Sequence, residues 1–208
     1  MTTCPTCAYR ATCNQRYRGQ ACGYWKEEKM DKEFAEFPKM ARYSREVIVT
    51  EKIDGTNAQI CITEDGQFLT GSRTRWITPE DDNFGFSRWA HEHKEELLTL
   101  GVGRHFGEWW GFGIQRGYGL QKGEKRFSLF NTSRWEIERP SCCHVVPVLW
   151  RGDFGELNAV DIMNNLYATG SHAAPGFIKP EGIVIFHTKA NVGFKKTFEK
   201  DSTGKWDK

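Results

Sequence analysis

The run "REVIVTEKI" (residues 45–53) is followed, after only Asp54-Gly55-Thr56, by a second run, "NAQICITED" (57–65). No other feature constrains the fold as strongly. β-branched residues recurring at this density read as strands, and a short link around a glycine reads as a turn between them. Asp65-Gly66 marks a hairpin into "QFLTGSRTRW". "RHFGEWWGFGIQRGYG" reads as a short strand and a glycine-rich loop, and "RFSLFNTSRWEIE", "HVVPVLWRGDF", "GIVIFHTKA" and "VGFKKTFEK" read as further strands. Helical spacing runs through Phe86, Trp89, Ala90, His93, Leu97 and Leu98, with Gly101 as the stop, and a second helix covers "LNAVDIMNNLYATGS". The expected domain is α+β, rich in antiparallel sheet, and spans residues 41–200.

Residues 1–40 differ from the rest. They form a short Cys-rich N-terminal arm with little periodicity, a short helix or linker being expected near residues 30–40. Cys4, Cys7, Cys13 and Cys22 begin with a Cys-x-x-Cys knuckle and offer four thiolates to Zn²⁺, with an iron–sulfur cluster or four reduced thiols as the other readings. Residues 201–208 read as a tail. Seven cysteines without a signal-peptide core argue for free thiols rather than a disulfide scaffold, and no apolar run approaches the roughly 18 residues that span a bilayer. The expectation is a soluble cytoplasmic protein with no membrane partner. A net charge of +2 neither demands nor excludes nucleic acid, because a local basic groove is enough to hold phosphates. Cys61, Cys142 and Cys143 fall in apparent strands and read as core or edge thiols.

Lys52 stands where a packing strand needs no lysine. A lysine amine is a nucleophile when unprotonated, and Gly55 allows close approach of the backbone to whatever it attacks. Taken alone, "EKIDGTN" is better explained by a surface lysine beside a turn. Five further segments follow in order: "GSRTRW", "FGEWWG", "RFSLFNT", "EGIVIF" and "FKKT". The whole array resembles the covalent nucleotidyltransferase superfamily of ATP-dependent DNA and RNA ligases and mRNA capping enzymes. Within it, the chain looks most like the phage-type RNA ligases. The matching segments spread over residues 51–197.

The resemblance implies an ATP-grasp-like ligase adenylation domain. It also implies a role for each matching residue. Lys52 would attack the α-phosphorus of ATP, form lysyl-AMP and expel pyrophosphate. Asp54 matches the acidic or His position of the nucleophile motif. Asn57 stands where DNA ligases usually have arginine, and would contact the nucleotide or the reacting end. Arg73 would contact the ribose and the substrate 5′-phosphate, and Glu108 the ribose hydroxyls. Phe130 would stack on adenine, with Phe127 as the alternative, although Asn131 replaces the acidic residue that the family carries next. Glu181 would help to place Mg²⁺ (or Mn²⁺) and its waters. Lys195, and with less support Lys196, would hold the phosphates. The family motif here is Lys-x-Lys, and two adjacent lysines on a strand point to opposite faces, which favours Lys195.

This set suits nucleotidyl transfer on general grounds: an in-line nucleophile, cations on the phosphate oxygens and a stabilised leaving group. The implied activity is ATP-dependent sealing of RNA, or of a nicked RNA/DNA hybrid, between a 5′-phosphate and a 3′-hydroxyl. The resemblance also carries the expectation of a phage-encoded enzyme acting in the host cytoplasm. A DNA ligase or a GTP-using capping-type enzyme is the nearest alternative, and both usually carry an OB-fold after this domain, where only about ten residues follow the last motif here. A non-catalytic nucleic-acid-binding protein is the alternative from another class. "GFGIQRGYG" lacks Gly-x-Gly-x-x-Gly spacing and reads as a loop in which Arg116 is at most a secondary phosphate contact.

Overall fold

The computed structural model describes residues 34, 37 and 39–199. Cys4, Cys7, Cys13 and Cys22, the short helix expected near residues 30–40 and the tail at 201–208 lie outside the described residues. The chain runs β1 (Glu46–Lys52), β2 (Thr56–Ile62), β3 (Phe68–Gly71), β4 (Trp76–Ile77), α1 (Phe86–Glu92), α2 (Lys94–Leu97) and β5 (Gly103–Gly111). It continues through β6 (Lys125–Leu129), α3 (Thr132–Trp135), β7 (Cys143–Val145), β8 (Val148–Asp153), α4 (Ala159–Thr169), β9 (Gly182–His187) and β10 (Val192–Thr197). The fold is α+β with largely antiparallel sheets, as the strand-rich sequence predicts. No helix among the described residues is long and apolar enough to cross a membrane.

The strands form two sheets, β10-β9-β1-β8 and β4-β3-β2-β5-β6-β7. β1 and β2 therefore do not pair with each other, and the short turn expected between them is a crossover from one sheet to the other. The physical reason lies in the residue just before that turn, which strand β1 no longer includes. Ile53 is 3% exposed and packs with Trp110, Tyr118, Val146 and Ala174 in a small core of its own. An apolar side chain drawn inward at the end of β1 carries the chain away from a hairpin path. Gly55 follows so closely on β5 that an added Cβ would stand 2.5 Å from the Trp109 carbonyl oxygen and 2.8 Å from Trp110 Cβ.

Period-two alternation then sorts the faces. On β1, Val47 and Val49 pack with Ile183, Ile185 and the α4 residues Met163 and Leu166. Helix α4 is capped by Asn158, whose side chain accepts hydrogen bonds from Val160 N–H and Asp161 N–H, and it stops at Gly170 with φ 78°. Removing Leu166 to Ala would cost about 2–5 kcal/mol through lost contact and a residual cavity. The larger core lies under the six-stranded sheet, where Ala58, Ile60, Trp109, Phe127 and Leu129 meet Phe86, Leu97 and Leu100 from the helical segment.

One strand reading and one helix reading need correction. "RFSLFNTSRWEIE" is a strand only as far as Leu129; Asn131 then accepts a hydrogen bond from Arg134 N–H and caps the short helix α3. The single helix read over residues 86–98 is broken at His93, whose φ of −105° and ψ of 17° separate α1 from α2. Cys61 and Cys143 are buried free thiols and Cys142 is partly buried.

Candidate active site

A cavity of about 570 Å³ opens between the two sheets, within the range of small-molecule sites. Ile48, Thr50 and Lys52 of β1 and Val184 and Phe186 of β9 line one side. Asn57 of β2, Phe106 and Glu108 of β5, and Phe130 line the other. The crossover makes this possible: Lys52 and Asn57 are five residues apart, yet they stand on different sheets.

Lys52 ends β1, and its Nζ donates to Glu181 Oε2 at 2.5 Å. Glu181 lies just before β9, and the pairing of Lys52 with Gly182 fixes this neighbourhood. The two side chains keep 24% and 18% of their surface exposed, so the pair is within reach of solvent and of a ligand.

On β2 and β5, Asn57 pairs with Glu108 in the ladder. The Asn57 amide donates to Glu108 Oε2 at 3.1 Å, and Gly55 N–H donates to Glu108 Oε1 at 3.0 Å. Burial pushes the Glu108 carboxyl up to about 7; Lys52 and these donors pull it down, and Glu181 pushes it further up. A carboxyl in this state both donates and accepts hydrogen bonds near neutral pH, which suits recognition of a hydroxyl.

Asp54 lies in the crossover and is turned to a different task from Lys52. Arg116 Nε donates to its Oδ2 at 2.9 Å, Arg116 also pairs with Glu199 at 3.1 Å, and Asp54 N–H donates to the Tyr118 hydroxyl at 2.8 Å. Arg116, which from the sequence is at most a phosphate contact, is thus committed to Asp54 and Glu199. Phe130 is 41% exposed and lines the cavity, whereas Phe127 is fully buried in the larger core and is unavailable as a stacking partner.

Register separates the two C-terminal lysines. Lys195 pairs with Val184, and Val184 with Thr50, so Lys195 shares the cavity face with Lys52. Lys196 pairs with Ile183, which packs toward α4, so alternation puts it on the face opposite Lys195. Lys195 sits on the edge strand and is not among the residues lining the cavity. Arg73 is exposed in the loop between β3 and β4 and does not line it either.

One residue escapes the motif reading. Glu51, 1% exposed beside Lys52, accepts hydrogen bonds from the Ser171 hydroxyl at 2.6 Å, His172 N–H at 2.8 Å and Ala173 N–H at 2.9 Å. It ties the loop after α4 to the strand that carries Lys52. Its parity with Val47 and Val49 is the signal that a period-two reading would have used.

A family model described as RNA ligase matches residues 45–206. No curated protein matches. Among solved structures the chain is similar to Naegleria gruberi RNA ligase. A mutant of that ligase with ATP and Mn gives a TM-score of 0.56 at 19% identity over 76% of this chain and 51% of that one. A mutant with AMP and Mn gives 0.56 at 19% over 74% and 50%, and the ligase with PPi gives 0.52 at 18% over 74% and 49%. The chain thus spans about half the length of that ligase, and at these identities the likeness is one of fold.

Proposed function

The chain belongs to the RNA ligase family, and on that premise we propose that it is an ATP-dependent RNA ligase that works through lysyl-AMP on Lys52. The observation that carries the reading is the cavity itself: an amine paired with a carboxylate on one sheet, and Glu108 with Asn57 on the other, around a space of nucleotide size. The Naegleria ligase has been solved with ATP, with AMP and with PPi, the cofactor and the two fragments that the overall three-step reaction releases from it. Its solved variants replace a lysine, the aspartate two residues beyond it, two glutamates, and a lysine fourteen residues beyond the second glutamate. Lys52 and Asp54 are likewise two residues apart, and Glu181 and Lys195 fourteen.

In the first step Lys52 Nζ gives up a proton, for which Glu181 is the acceptor in contact, and attacks the α-phosphorus. The N–P bond forms as the P–O bond to pyrophosphate breaks. An oxygen of an RNA 5′-phosphate then attacks the same phosphorus, and the amine leaves and regains its proton. Finally the 3′-hydroxyl attacks the 5′-phosphorus and AMP departs. Phe130 stacks on the base, Glu108 with Asn57 holds the ribose hydroxyls, and Lys195 and Arg73 neutralise phosphate charge. Asp54, held by Arg116 and Tyr118, fixes the backbone between nucleophile and ribose site.

Among the described residues no group of three or more His, Cys, Asp or Glu is arranged to hold a metal ion. That fits a divalent ion carried in on the triphosphate, because Mg²⁺ keeps several waters and takes only one or two protein carboxylates. Glu181 is the carboxylate that would meet it, and the ion would screen the charge of the departing pyrophosphate.

Incubation with α-labelled ATP and Mg²⁺ or Mn²⁺ tests the reading. The expected result is an acid-labile label on the wild-type protein, none on Lys52→Ala, and weaker labelling from GTP. Subsequent incubation with 5′-phosphorylated RNA or DNA ends separates RNA sealing from the DNA alternative. Absence of label on wild type would leave the non-catalytic, nucleic-acid-binding reading in its place.

A further inference from the structure

The six-stranded sheet carries a row of side chains that runs on from the cavity wall beyond the nucleotide site. Directly paired residues on neighbouring antiparallel strands share a face. Trp76 pairs with Gly71, Gly71 with Gln59, and Gln59 with Phe106, so these four stand in one line across β4, β3, β2 and β5. Phe130 extends the line, its N–H bonding the Phe106 carbonyl at 3.0 Å. Trp76, Phe106 and Phe130 are 45%, 51% and 41% exposed, while Trp109 and Phe127 on the other face of the same sheet are 2% exposed or less.

The gaps between the rings carry polar and cationic groups. The Gln59 side chain lies over Gly71, where an added Cβ would meet it at 2.8 Å. Arg104 donates to Gln59 Oε1 at 3.3 Å, and its guanidinium lies 5.2 Å over the Trp76 ring. Arg73 projects from the adjoining loop, exposed and without a side-chain hydrogen bond or ion pair among the described residues. With strands about 4.8 Å apart, Trp76 and Phe106 stand roughly 14 Å from each other. Phe106 and Arg104 also line the cavity, so the row is continuous with it.

We infer that this row is a platform for unpaired RNA nucleotides next to the reacting end, with bases stacking on Phe106 and Trp76 and the strand phosphates facing Arg104 and Arg73. Exposed rings interleaved with guanidinium groups are how single strands are held without reading sequence. The inference rests on the ligase reading and adds the path of the RNA to it.

The test is binding of a fluorescent single-stranded oligoribonucleotide with a 5′-phosphate, followed by anisotropy at fixed salt. Wild type, Trp76→Leu and Trp76→Phe are compared, with lysyl-AMP formation measured on the same preparations. Trp76→Leu should weaken binding at least about fivefold, Trp76→Phe should retain most of the affinity, and both should take up AMP as wild type does, because Trp76 lies outside the cavity lining. Equal affinity of the Leu variant, equal weakening by Leu and Phe, or no RNA binding by wild type overturns the platform. Should the Leu variant fail to fold, Arg104→Gln decides: lower affinity and a shallower salt dependence support the platform, and unchanged affinity overturns it. Protein that binds RNA through Trp76 yet takes no AMP overturns the ligase reading alone. Labelled protein indifferent to Trp76→Leu overturns the platform alone.

Discussion

On the wall built by β1 and β9, Lys52 and Glu181 form an ion pair that solvent still reaches, whereas on the wall built by β2 and β5 the Glu108 carboxyl is 8% exposed and meets only neutral donors. The first arrangement suits a group that forms and breaks bonds, since the partner of Lys52 is exchangeable. The second suits recognition, because a carboxyl held near 7 turns in either direction toward a hydroxyl. Three residues, Ile53 to Gly55, join the two walls, and Glu51 braces the first against the loop that follows α4.

The contrast can be broken at its brace. Glu51→Ala leaves one buried and two part-buried donors without an acceptor and should lower stability by about 3 kcal/mol, read as a fall in the unfolding midpoint. A change no larger than that of a surface substitution would mean that the brace carries no load. Gly55→Ala strikes the link between the walls. Its Cβ would sit 2.5 Å from the Trp109 carbonyl, and a cost of about 2–3 kcal/mol is expected from denaturant unfolding.

Glu108 gives a pH signature. Its folded value of about 7 lies above the ordinary 4.5, so the folded protein binds more protons between those limits. Its contribution is present in full below about 4.5 and is lost as pH rises to about 7, a change of about 3 kcal/mol. Stability curves of wild type and Glu108→Gln should differ in slope across that window and run parallel above it. The smallest effect belongs to Asp54→Asn. It weakens a pair with Arg116 whose side chains are 21% and 27% exposed, and should cost about 1 kcal/mol of stability while lowering the rate of AMP uptake.

Much of the site was legible because period two is a strong rule. It separates Lys195 from Lys196, and Phe130 from Phe127, whose parity with Leu129 sends it to the core. The same rule applied to Val47, Val49 and Glu51 would have exposed the buried brace. The crossover was not legible in the same way. A link of this length serves a hairpin or a change of sheet equally well, and only the inward packing of Ile53 against Trp110 and Tyr118 decides between them. The Asp54–Arg116 pair was hidden for another reason: it joins residues 62 positions apart, through a glycine-rich loop whose path no local pattern specifies. The helix turn at Asn131 could have been read from its Asn-Thr-Ser start, an N-cap signal set inside an apparent strand.

The central claim is that Lys52 becomes covalently joined to AMP. Intact-mass measurement after incubation with ATP and Mg²⁺, with the modified peptide then sequenced by fragmentation, addresses it most directly. The expected result is a gain of one adenylyl group, carried by the peptide that contains Lys52 and lost in Lys52→Ala. No gain in mass on wild type, or an adenylyl group that persists on Lys52→Ala, would contradict it.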